Sequence, residues 1–139
     1  MTPSEKLYQT AVSFLGKDAS PRDTAPDEYG CMESVHAIVK QALGFDMGGG
    51  NSTNLAYKAL KVDTRFKKVT EWKRGCLIIS PTGYGNNEIV GHIGIMSDDE
   101  KIMSNTSKDG IWRENFTLKS WIARYRDIGE LPIMFFEPV

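Results

Sequence analysis

Hydrophobic and polar positions follow two different periods along this chain. Up to about residue 60 the apolar residues recur at helical spacing. Beyond Arg74 they fall in short runs broken by turn formers. Pro3 after Thr2 suits a helix start, and Leu7, Ala11, Phe14 and Leu15 continue it to Gly16. Residues 18–29, rich in Pro, Asp and Thr, read as a surface loop. From Gly30 to Leu43 the pattern predicts a second helix, with Cys31, Val35, Ile38 and Ala42 on a stripe about 60° wide. Glu33 and Lys40 fall opposite, toward solvent, and Gly44 is placed to end it. Gly48-Gly49-Gly50-Asn51-Ser52 reads as a turn and cap for a third helix over Leu55–Leu60.

The second half predicts strands at 76–80, 89–97, 101–107, 111–114 and 133–136, with Thr117 capping a short helix that runs to Arg126. Helices followed by a mostly antiparallel sheet of about five strands define an α+β fold. At 139 residues the chain suits one domain.

Composition narrows the function. Seventeen basic and 18 acidic residues leave a formal charge of −1, without the broad positive field of a nucleic-acid binder. No run of 18 apolar residues suggests membrane insertion, and the first residues lack a signal-peptide pattern, so synthesis in the cytoplasm is expected. Two isolated cysteines and two histidines make neither a disulfide framework nor a metal or cofactor site, and a monomer is expected. The Gly48–Gly50 run is not followed by the Gly-Lys-Ser/Thr of a phosphate loop.

A cysteine in the first turn of a helix meets unpaired N–H groups and positive potential, which favour thiolate, so Cys31 is the candidate nucleophile. His36 diverges from it around the helix. His92, in the strand Gly91-His92-Ile93-Gly94, is therefore the candidate base. If Asp98 and Asp99 form a two-residue turn, Asn105 lies directly across from His92 with Cβ atoms about 5 Å apart, where its carboxamide would orient the imidazole. A three-residue loop would instead bring Ser104 or Thr106 opposite. Glu28, Tyr29, Ser34 and Tyr84 are candidate substrate contacts. Trp72, Trp112 and Trp121 could form a carbohydrate platform or pack in the core. Asp27 and Glu28, as neighbours, point apart and make a poor glycosidase pair.

The segments Tyr29-Gly30-Cys31-Met32-Glu33-Ser34-Val35, Arg74-Gly75-Cys76-Leu77-Ile78-Ile79-Ser80-Pro81, Gly91-His92-Ile93-Gly94-Ile95 and Lys101-Ile102-Met103-Ser104-Asn105 resemble the NlpC and CHAP papain-like hydrolases. The resemblance covers about residues 27–136. It implies a single papain-like cysteine hydrolase domain over 1–139, with Cys31, His92 and Asn105 in the catalytic places and a peptide or amide bond of peptidoglycan as substrate. The enzyme type implied is an endopeptidase or N-acetylmuramoyl-L-alanine amidase, resembling a phage lysin or virion-associated hydrolase that reaches the wall by release or injection. An effector amidase, an acyltransferase, or a wall-binding or tail protein without turnover would use the same fold. The family's usual Asp-Cys-Ser-Gly is here Gly30-Cys31-Met32-Glu33, its Pro-Gly-Asp is Arg74-Gly75-Cys76, and its frequent third-place His is Asn105.

Overall fold

The computed structural model describes residues 1–19, 30–50, 52–84, 90–106 and 109–139. Helix α1 spans Pro3–Ser13, and Thr2 caps it by accepting a hydrogen bond from the Glu5 N–H at 3.2 Å. Helix α2 spans Gly30–Leu43, the range its apolar period predicts. Helix α3 spans Thr53–Val62, capped by Ser52, whose Oγ accepts from the Leu55 N–H at 3.3 Å.

Six strands follow: β1 (Phe66–Val69), β2 (Leu77–Ser80), β3 (His92–Met96), β4 (Lys101–Asn105), β5 (Trp112–Thr117) and β6 (Met134–Pro138). They form one sheet in the order β1-β6-β2-β3-β4-β5, and every described pairing is antiparallel. The strand beyond the expected set is β1. Its short Phe-Lys-Lys-Val sequence carries little strand signal, and the two lysines suit an exposed edge. Between β5 and β6, Thr117 caps the short helix α4 (Leu118–Trp121), which widens into a π-helical segment over Ile122–Ile128.

Side-chain alternation along the strands divides the core into two layers. Leu77, Ile79, Ile93, Ile95, Met103 and Phe136 pack toward the three N-terminal helices. Ile78, Met96 and Ile102 pack on the other face with Trp121, Tyr125 and Leu131. Both faces are covered, so β2 reads as a continuous apolar run rather than an alternating one. Trp112 and Trp121 are fully buried. Their indole N–H groups donate to the Ala11 carbonyl at 3.1 Å and to Ser80 Oγ at 3.0 Å. These two are core residues and cannot form a carbohydrate platform.

Helix α2 departs from its expected pattern at one place. Glu33, expected toward solvent, is only 7% exposed, because residues 31–35 are all buried. Farther along, Lys40 is exposed as expected and pairs with Asp46 at 3.1 Å. The Gly48–Gly50 turn serves packing: a Cβ on Gly49 would lie 2.5 Å from the Ala56 backbone nitrogen.

The β3–β4 turn corrects the expected register. Ile95 pairs with Met103 and Met96 with Ile102, while Ser97 and Lys101 close a three-residue loop of Asp98, Asp99 and Glu100. Asp99 and Glu100 both have positive φ, at 55° and 59°. Continued along the strands, this register puts Thr106 across from His92. Asn105 falls opposite Ile93, on the face toward α2.

Gly91 lies where β3 begins, and a Cβ there would meet the Ser80 carbonyl oxygen at 2.0 Å. Its N–H donates to Thr82 Oγ1 at 2.7 Å, and Thr82 is held in turn by Thr53 at the start of α3. Gly91→Ala is therefore expected to lower stability by at least ~1–3 kcal/mol, measured by urea unfolding. An unchanged midpoint would mean that this close approach is absent in solution.

Candidate active site

Helix α2 packs against β3 and β4. Beside its first turn opens a cleft of about 460 Å³, lined by Cys31, His92, Asn105 and residues from the opposite layer. Three candidates from far apart in sequence therefore meet at one cavity. Cys31 is 6% exposed and sits in the first turn, where backbone N–H groups lack intrahelical partners. Ser34, one turn later, is fully buried, and its hydroxyl donates to Asn105 Oδ1 at 3.3 Å. Asn105 thus ties α2 to β4. This hydrogen bond and the observed register place Asn105 toward α2 and not across from His92, where it was expected.

His92 is held by aromatic rings. It stacks on Trp121 and Tyr125, with centroids 5.3 and 5.9 Å away, and makes a tilted contact with Phe116 at 5.9 Å. Burial pushes its pKa down from the ordinary value to about 4, with a smaller contribution from the positive charge of Arg124. At neutral pH the imidazole is uncharged and able to accept a proton. Tyr125 connects the two halves of the site. Its ring stacks on His92, and its pKa is raised by burial foremost, against a hydrogen bond to Arg124 that lowers it and with a small further rise from Cys31.

Cys76, the other thiol, is fully buried at the start of β2, and burial raises its pKa. Neither cysteine forms a disulfide. His36 lies outside the cleft lining, with its pKa lowered by burial and its Nε2 lacking a hydrogen-bond partner among the described residues. Tyr84 is 40% exposed and packs edge-on against Tyr57 at 5.2 Å, away from the residues that line the cleft. Tyr29 and Glu28, with Asp27, lie outside the described residues.

Asn115, Phe116, Arg124 and Tyr125 also line the cleft and were not singled out by sequence, and Thr106 lines it with them. Asn115 sits where the β4–β5 register shifts, Met103 pairing with Glu114 and Ile102 with Phe116. The bulge turns its side chain to accept from Ser104 Oγ at 2.6 Å. Thr106 Oγ1 is buried without a hydrogen-bond partner among the described residues. A three-residue hairpin loop was the one sequence alternative that would have brought Thr106 forward.

This architecture is a papain-like α+β fold. A likeness to two solved structures defines it. One is a chain of the type VI native effector-immunity complex Tae3-Tai3 from Ralstonia pickettii, with a TM-score of 0.61 and 12% identity over 98% of both chains. The other is the wild type endolysin LysIME-EF1, with a TM-score of 0.58 and 16% identity over 99% of this chain. The protein spans 65% of that endolysin chain. No protein-family model and no curated protein matches the sequence.

The half-buried, ring-stacked imidazole has a consequence for pH. In the unfolded chain it titrates near the ordinary value of about 6.5, whereas folding holds His92 neutral down to about 4. As pH falls through that window the unfolded chain binds a proton that the folded chain does not, so stability present above pH ~6.5 is progressively lost. An NMR titration of the two histidines is expected to give His92 a midpoint well below 6.5. A midpoint at or above that value would contradict the enclosed, ring-stacked geometry.

Proposed function

We propose that the protein is a cell-wall hydrolase that cleaves an amide or peptide bond of peptidoglycan through Cys31. The observation that carries the reading is the meeting of a helix-start cysteine and a neutral histidine at one cleft of a papain-like fold. The resemblance of the motifs around Cys31 and His92 to the NlpC and CHAP hydrolases supports it. So does a structural neighbour described as an endolysin.

In this mechanism Cys31 Sγ attacks the scissile carbonyl while its proton passes to His92, whose neutral imidazole is the base. The Cys31 N–H at the start of α2 steadies the oxyanion. Collapse breaks the C–N bond, His92 protonates the departing amine, and a thioester remains on Cys31. His92 then takes a proton from water, hydroxide adds to the thioester, and the thiol is restored as the acid leaves. Asn105 keeps the first turns of α2 in place through Ser34, and the ring stack sets the plane of the imidazole.

A lysin and an effector injected into a competing cell would share this chemistry. The type VI effector complex among the neighbours supports the second as directly as the endolysin supports the first. Either would act on the wall after release or injection. The test is mass analysis of fragments from purified peptidoglycan incubated with the protein. Cys31→Ala is expected to stay folded, at a cost of ~1–3 kcal/mol, and to release no fragments. Fragment release by that folded variant would overturn the mechanism. Absence of release by the wild-type protein would favour a non-catalytic wall-binding role. Asn105→Ala is expected to lower kcat by roughly ten- to a thousandfold, because the nucleophile helix loses its tie to β4, as steady-state kinetics would register.

A further inference from the structure

Among the described residues, every arginine but one pairs with a carboxylate. Arg65 pairs with Asp63 at 2.8 Å, Arg74 with Glu5 at 2.7 Å and Asp98 at 3.2 Å, Arg113 with Asp109 at 2.8 Å, and Arg126 with Asp127 at 3.3 Å. Arg124 is the exception, with no carboxylate partner among the described residues. It is also the one arginine that lines the cleft beside Cys31 and His92.

No aspartate or glutamate is among the described lining residues, and Arg124 is the formal charge they carry. The side chain is exposed to solvent, and its guanidinium lies 5.6 Å from the Tyr125 ring centroid. Arg124 and Tyr125 are consecutive, yet both reach the cleft from the π-helical segment, where the Gly129 N–H bonds the Arg124 carbonyl at 3.0 Å. A guanidinium is a planar fork of donors matched to a carboxylate, and here one of them is taken by the Tyr125 hydroxyl, which leaves the others to face the cleft.

We propose that Arg124 binds a free carboxylate of the substrate, so that the cleft selects peptides carrying an acid group close to the bond that is cut. The inference rests on the hydrolase reading and extends it to the class of substrate. It gives a reason for a guanidinium without a carboxylate partner in a site whose other described lining residues carry no formal charge. The same cation also acts on the His92 imidazole, so an anion bound there would restore some of the imidazole's basicity as the substrate arrives.

The probe is a soluble muropeptide with free carboxylates, compared with the same muropeptide after carbodiimide amidation. Binding is measured by calorimetry on the Cys31→Ala protein, which needs no turnover, and KM and kcat are measured on the enzyme with Cys31 intact. The acid form is expected to bind about 10- to 100-fold more tightly than the amidated form. Arg124→Gln should erase that preference, bringing the KM values and affinities for the two forms together, while Arg124→Lys should restore part of it. Equal affinity for both forms, or a preference that survives Arg124→Gln, would overturn the assignment. If the preference holds in binding but the intact enzyme cleaves neither form, the hydrolase reading fails and the carboxylate site stands. If both forms are cleaved equally and Arg124→Gln changes nothing, the carboxylate site fails and the hydrolase reading stands.

Discussion

Docking of the first turns of α2 against β3 and β4 is the constraint from which the rest of the site follows. A helix-start cysteine can act with His92 only if its turn is held against β3. Here residues 31–35 are all buried, with Cys31 at the wall of the cleft. Apolar contact from Val35, Ile38 and Val39 to Ile93, Ile95 and Met103 supplies most of the hold. The buried Ser34 to Asn105 hydrogen bond fixes the register between helix and strand. Its energy is modest, but an unpaired buried carboxamide would cost ~1–3 kcal/mol, which disfavours sliding of the helix along the sheet.

Across the sheet, a second layer determines the state of His92. Trp121, Tyr125 and Phe116 surround His92 with rings and keep it neutral, and the π-helical widening after α4 brings Tyr125 and Arg124 to the same cleft. In the proposed mechanism a neutral imidazole takes the thiol proton during attack. The second layer therefore bears on that proposal as much as helix α2 does.

Much of this was legible in the residues. The Gly30–Leu43 helix, its stripe and its cysteine follow from a 3.6-residue period, and Thr2, Ser52 and Thr117 each cap the helix expected of them. Gly91 was expected to permit a close approach and does so against Ser80. What could not be read depended on long-range contact. The hairpin register turned on whether Asp98, Asp99 and Glu100 make a two- or three-residue loop, and nothing local forbids positive φ at Asp99 and Glu100. Glu33 was misplaced because helical period says nothing about a turn in which residues 31–35 are all buried. Arg124 and Asn115 reach the cleft through a π-helical segment and a β-bulge, irregularities that no simple period encodes.

The central claim is that the Cys31 thiol, at the cleft, is the reacting group, while Cys76 is a core residue. The two thiols provide an internal control, since Cys76 is fully buried and its pKa is raised by that burial. Iodoacetamide treatment of the folded protein near neutral pH, followed by peptide mapping and an assay of peptidoglycan release, compares them in one experiment. Modification is expected first at Cys31, with activity lost in proportion to it and Cys76 unmodified until the protein unfolds. Full activity in protein completely alkylated at Cys31, or modification of Cys76 ahead of it, would contradict the account.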